Sequence, residues 1–208
     1  AIIGAGVAWF LATHHRVEKT VALPPRGEAS YNPLYALKLA LRAEGQRAES
    51  RQRLQLEQMA LAPGDTLLVY SDPRALTYEQ LEALFVFAED GGHLVLRLPS
   101  WRQDDATAGD LADWLPIEPD LLDAHCMDLF VPGEEDHEEF CGAPRFKLAE
   151  DAEVSAAWRT RDGHHVFARF PYGDGSVDLV SSLDIVGNRQ LDEGPHLAFA
   201  RQLLAPNW

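Results

Sequence analysis

The stretch Gly64–Leu98, GDTLLVYSDPRALTYEQLEALFVFAEDGGHLVLRL, decides the fold. Thr66 to Tyr70 is an unbroken apolar run of the kind made by a strand covered on both faces, and Leu94 to Leu98 is a second run, interrupted by Arg97. Between them the spacing predicts a helix. Thr77 followed three residues later by Gln80 is a capping box, and Leu81, Leu84, Phe85 and Ala88 form one apolar stripe. Gly91 and Gly92 supply a left-handed stop. Two buried strands joined through a helix are expected to run parallel with a right-handed crossover. The fold class that follows is α/β, a mainly parallel central sheet in three layers, with an antiparallel edge.

Working outward from this unit, Asn32 is expected to cap a helix with Pro33 at its first position. Leu34, Leu37, Leu41, Ala36 and Ala40 form its buried stripe, and Gly45 ends it. Gln46 to Gln58 is polar, with a short edge strand near Ala48 to Arg51 and a helical turn over Leu54, Leu56, Met59 and Leu61. On the other side, Asp110 to Leu115 reads as a single helical turn. Val154 to Trp158, Val166 to Phe170 and Val177 to Ser182 read as strands of the antiparallel edge, with turn signals at Asp162-Gly163 and at Tyr172 to Gly175. A last helix is expected from near Asp192, carrying Leu197, Ala200, Leu203 and Leu204.

At 208 residues and 46% hydrophobic content the chain can bury one sizeable core, so residues 31–208 are read as a single α/β domain. The formal net charge of −15 would repel nucleic acid and anionic lipid head groups, and nucleic-acid binding is therefore disfavoured. The negative charge is densest in residues 118–140, where nine acidic residues occur with no lysine or arginine; this segment reads as an acidic, mostly solvated insertion. Its apolar pieces, Leu121-Leu122 and Met127 to Val131, are expected to return to the body as short strands or turns. The opening AIIGAGVAWFLA carries no charge. Residues 1–13 therefore read as the second half of a membrane anchor leaving the bilayer at Trp9, Phe10, His14, His15 and Arg16, and residues 14–30 as a stalk or linker. A buried N-terminal segment and the end of a signal peptide are the alternatives.

In an open parallel sheet, ligands bind beyond the carboxyl ends of the strands. The candidate ligand-binding residues there are Ser71, Asp72 and Arg74 after the first strand, Ser100 and Trp101 after the second, and Ser182, Asp184 and Asn188 after the late one. The commoner role of residues such as Asp72-Pro73, Asp184 and Asn188 is to form turns and caps, and that is the stronger reading of them. A nucleophilic mechanism would need an exposed Ser or Cys on a glycine-flanked elbow, which Pro99-Ser100-Trp101 does not offer. No residue is assigned as catalytic, and no cofactor is called for. His125, Cys126, His137 and Cys141 have ligand chemistry but not the spacing of a usual zinc site; a disulfide between Cys126 and Cys141 is the stronger reading outside the cytoplasm. His164 and His165 read as exposed strand residues beside a hairpin.

The hydrophobic N-terminus, the stretch Tyr31-Asn32-Pro33-Leu34-Tyr35-Ala36, the strand–helix–strand unit and YGDGSVDLVSSLDIVGN before the last helix together resemble a bacterial family called domain of unknown function 4350. The resemblance implies a membrane-anchored protein whose soluble part is similar to class I glutamine amidotransferase-like or flavodoxin-like domains. It also implies genes for MoxR-type AAA ATPases as neighbours. True amidotransferases of this fold carry a cysteine elbow where this chain has Pro99-Ser100-Trp101. The function expected is a non-catalytic binding or scaffolding domain at the bacterial inner membrane, facing the periplasm, with a protein partner; the alternative is a hydrolase or transferase using Asp72, Ser100 and Asp184.

Overall fold

The computed structural model describes residues 4, 9, 10, 13, 24–99, 109–120, 126–130, 137–205, 207 and 208. β1 (Thr66–Val69) and β2 (His93–Arg97) are joined by a helix, Tyr78–Glu89, which is the second of four described α-helices. The first, α1, is Tyr35–Ala43; Tyr78–Glu89 is α2, Gly109–Ala112 is α3 and His196–Leu204 is α4. The α2 capping box forms as the sequence dictates. The Thr77 hydroxyl accepts from the Gln80 N–H and the Gln80 side chain accepts from the Thr77 N–H. The helix ends where Gly91 turns left-handed at φ 101°. β1 and β2 pair in parallel, Thr66 to Val69 against His93 to Leu96.

Seven further strands complete one nine-stranded sheet: β3 Ile117–Asp120, β4 Met127–Phe130, β5 His137–Glu139, β6 Arg145–Leu148, β7 Ala156–Thr160, β8 His165–Tyr172 and β9 Gly175–Val180. The main order is β1-β2-β9-β8-β7-β4-β5, with β6 paired to β8 and β3 to β6. Among the described residues only β1, β2 and β9 run parallel, and every other pairing is antiparallel. The expectation of a mainly parallel sheet with an antiparallel edge is therefore corrected to a mixed sheet whose antiparallel part is the larger. The physical cause is β9. Val177 to Val180 is buried on both faces, and its backbone bonds β2 on one side and β8 on the other, so the late hairpins extend the sheet rather than border it.

In-register residues share a face, and this divides the core in two. Val95, Val180, Phe167 and Trp158 pack under α1, α4 and the turn Asp184–Val186. Leu94, Leu96, Val177, Leu179 and Phe170 pack under α2, together with Leu111, Leu115 and Phe146. The result is three layers, helix on sheet on helix.

Several local expectations change. α1 begins at Tyr35 rather than Pro33, because Asn32 spends its side-chain carbonyl on the Leu34 N–H in a tight turn ahead of the helix. No strand forms near Ala48 to Arg51. α4 starts at His196, four residues after Asp192, since Gly194 sits at φ 45° and Pro195 follows as the cap. Leu197 falls on its exposed flank, and the buried face is His196, Phe199, Ala200, Leu203 and Leu204.

The acidic segment is more integrated than a solvated excursion, for Met127, Leu129 and Phe140 are buried. Leu121, Leu122 and Val131 lie outside the described residues. Among the described residues no helix is long and apolar enough to cross a membrane, and most of residues 1–23 lies outside them. Within the segment read as a stalk, Glu28 is bonded to the domain. Glu28 accepts from Lys38, Ser50 and Asn32, and these donors hold its carboxyl at about 2.

Candidate functional site

The carboxyl ends of β1, β2 and β9 lie side by side, so the residues that follow them share one rim. Tyr70, the residue after β1, donates to the Asp184 carboxylate over 3.0 Å. Burial first, and then this carboxylate, raise the Tyr70 phenol above its ordinary range, while the Arg97 guanidinium acts against them. Arg97 ends β2 on the same face as Tyr70, and it is the residue that interrupts the second apolar run. Its Nε is buried without a hydrogen-bond partner, and no carboxylate among the described residues pairs with it. Ser181, just past β9, is fully buried and its hydroxyl also lacks a partner among the described residues.

The other candidates at the rim are engaged in structure. Asp72 accepts from the backbone N–H of Arg74 at 3.0 Å and forms an ion pair with its guanidinium at 2.9 Å, which caps the turn Pro73–Ala75. Ser71 is exposed beside it. Ser182 accepts from the Asp184 N–H at 3.1 Å. Asn188 clamps the start of α1 to the segment after β9: it donates to the Asn32 carbonyl at 2.7 Å and accepts from the Ala36 N–H at 2.8 Å. Asp184 and Tyr70 meet with Arg97 nearby, whereas Asp72 and Asn188 belong to separate turns. Ser100 and Trp101 lie outside the described residues.

Two further polar clusters went unread in the sequence. At the opposite end of the parallel strands, Asp178 is fully buried and receives both nitrogens of the Arg169 fork, at 2.7 and 2.6 Å. His93 Nε2 is 3.0 Å from the same carboxylate and its Nδ1 is 3.1 Å from the Thr66 hydroxyl. Asn207 closes the chain by donating to Thr66 and to the Gly64 carbonyl. Arg169 also donates to the Leu203 carbonyl at the end of α4. Every one of these groups bonds another part of the fold, so the cluster is a clamp between sheet, helix and tail. Its one signal in the sequence is a charge inside an apolar strand, in Val177-Asp178-Leu179 and Ala168-Arg169-Phe170.

The second cluster corrects the reading of His164 as exposed. Its side chain is 12% exposed, with Nε2 2.6 Å from Asp120. Nδ1 is 3.2 Å from Asp162, too poorly aligned for a hydrogen bond. Arg145 pairs with both aspartates, which ties β3 and β6 to the β7–β8 hairpin. The Thr160 hydroxyl, then His164 and Arg145, hold the Asp162 carboxyl well below the usual carboxylate range. Burial, with the Arg159 and His164 charges, pushes His165 below its ordinary value and favours its neutral ring.

Cys126 and Cys141 are joined in a disulfide. Neither sulfur is therefore free to bind a metal, and among the described residues no group of three or more carboxylate, imidazole or thiolate side chains could hold one. His125 lies outside the described residues.

Solved structures that resemble the chain do so distantly. It is 15% identical to an exo-beta-1,4-mannosidase from Opitutaceae bacterium strain TAV5, over 68% of this chain and 24% of that one, at TM-score 0.45. It is 19% identical to a beta-galactosidase from Bacillus circulans sp. alkalophilus, over 59% and 21%, at TM-score 0.41. A cytoplasmic protein from Salmonella typhimurium LT2 is 14% identical over 67% and 70%, at TM-score 0.44. The matched part is about a quarter or less of each glycosidase. No curated protein matches the sequence. The family described as "Domain of unknown function (DUF4350)" matches residues 26–204, which takes in every described strand and all four described α-helices. The chain belongs to the domain of unknown function 4350 family.

Proposed function

We propose that this domain is a non-catalytic binding module of the amidotransferase-like type, which takes an anionic group of a protein partner or small ligand into the strand-end rim. The observation that carries this reading is Arg97. A guanidinium with a buried, unpartnered Nε is costly, and an arriving carboxylate or phosphate would supply the missing acceptor in the bidentate geometry arginine favours. Tyr70 and Asp184 fix the neighbouring side of the rim. Ligands of open α/β sheets bind at this end of the strands. Asp72 and Asp184, which the hydrolase or transferase reading would use, are held by Arg74 and Tyr70 and so favour the binding role.

Thermal unfolding in inorganic phosphate or citrate, against chloride at equal ionic strength, tests the site. A ligand that binds only the folded state raises Tm by mass action. Wild-type protein is expected to gain several degrees, and Arg97→Gln to gain none while keeping its circular dichroism spectrum. Equal gains in the two proteins would remove Arg97 from the site and the proposal with it.

The module works at the bacterial inner membrane in this proposal, held by residues 1–13 with the domain in the periplasm and partnered by a MoxR-type AAA ATPase system. The uncharged N-terminal run and the disulfide support that placement. Expressed as the complete gene product, the protein should sediment with membranes after carbonate washing; recovery in the soluble fraction would refute the anchor.

A further inference from the structure

A second surface lies away from the strand-end rim, on the outer flank of α2. Glu79, Glu82, Ala83, Val86, Phe87 and Asp90 recur at helical spacing along that flank, and they face the segment Leu56–Pro63 across a groove of about 900 Å³. Its apolar lining comes from Leu56, Leu61, Pro63, Val86 and Phe87. Val86 is 46% exposed in the middle of the stripe, an apolar side chain that the fold leaves in water. The Phe87 ring lies over Gly92, where a Cβ would come within 2.3 Å of it, so the glycine is what lets the ring take this place in the groove.

Its charge is of one sign. The four charged lining residues, Glu57, Glu79, Glu82 and Asp90, are all acidic. Leu56 and Leu61 are half-buried against the core, so the segment that walls the groove is held by packing. An apolar trough with acidic walls suits one kind of occupant. An amphipathic helix laid in such a trough would bury aliphatic side chains at i, i+3, i+4 and i+7 and place lysines or arginines against the carboxylates. The acidic walls disfavour an anionic lipid surface and a second copy of this chain, whose net charge is −15.

We infer that the groove between α2 and residues 56–63 is a docking site for a cationic amphipathic helix of a partner protein. It is independent of the anion site at Arg97, so either can fail alone. The test uses the whole 208-residue chain and a fluorescein-labelled leucine–lysine helical peptide about four turns long, with the leucine–glutamate peptide of the same pattern as control. Anisotropy should show binding of the lysine peptide that weakens as salt rises, and none of the glutamate peptide.

Glu57→Lys with Glu82→Lys, both exposed, should weaken binding about tenfold or more. Asp151→Lys with Glu153→Lys, which changes net charge equally outside the groove, should leave it within about twofold. Val86→Ser should weaken it without altering its salt dependence. Equal losses in the two charge-reversed proteins would mean that the peptide follows net charge, and the docking site would be withdrawn. So would binding of both peptides, or self-association of the chain in sedimentation that Val86→Ser abolishes, since the occupant would then be a second copy.

Discussion

Asp178→Asn is expected to destabilise the domain by about 3–5 kcal/mol, the range found when one partner of a buried ion pair is removed. The carboxylate is completely buried, accepts from both nitrogens of the Arg169 fork and lies 3.0 Å from His93 Nε2. Asparagine keeps the shape but offers a single oxygen acceptor and no charge, so Arg169 would remain a buried cation without a counter-ion. Urea denaturation monitored by circular dichroism gives the difference directly; a loss below about 1 kcal/mol would show that the clamp contributes little. A second variant separates charge from position. If Arg169, Asp178 and His93 are replaced together by Met, Leu and Leu, much of the loss should be recovered, since a well-packed apolar trio leaves no charge uncompensated.

Gly175→Ala should be nearly as severe, for a different reason. A Cβ at this position would stand 2.1 Å from the Gly92 carbonyl oxygen and 2.4 Å from that of Ala88. Both neighbours are backbone, so no side-chain rotation relieves the collision, and β9 would have to withdraw from α2 at the point where it begins. The expected cost is about 3 kcal/mol or more, at the upper end of what overpacking causes. Gly163→Ala is the comparison, because Gly163 has φ 89° but nothing within 4 Å of the added carbon. It should lose only the roughly 1–2 kcal/mol of a left-handed residue. A Gly175→Ala protein within about 1 kcal/mol of wild type in the same urea titration would contradict the close approach of β9 and α2.

What could be read in advance tracks how local the cause is. The β1-α2-β2 unit was legible because its capping box, apolar stripe and glycine stop all lie within 35 consecutive residues and act on one another. Asn32 and Pro195 were harder, since a single turn residue ahead of a helix can either cap it or delay it. The place of β9 was not legible, because an apolar run records that a strand is covered and not which strands cover it. The same limit hid the Asp178 clamp. Arg169 and Asp178 show as charges inside apolar strands of one hairpin, but Thr66, His93 and Asn207 come from three other places in the chain, and nothing in the sequence joins them to that pair.

The strand-end candidates follow from a rule about parallel sheets, which places Asp184 at the rim, whereas Asn188 takes the turn-and-cap role that its residue type suggests. Arg97 shows in the sequence as a charge breaking an apolar run, but an interruption of that kind at a strand end does not by itself mark a site.

The position of β9 also sets an order of events during synthesis. Its parallel partner β2 precedes it by about 80 residues, so β1, α2 and β2 leave the ribosome long before the strand that covers the far edge of β2 exists. Until Gly175–Val180 arrives, the nascent chain carries two unsatisfied strand margins, one on β2 and one on β8. Such margins recruit other strands. Closing a pairing of this sequence separation is slow compared with forming the hairpins around it. A chain halted before Gly175 should therefore aggregate rather than persist as a smaller folded unit, and the full chain should need protection for the interval in which its centre is the part still missing.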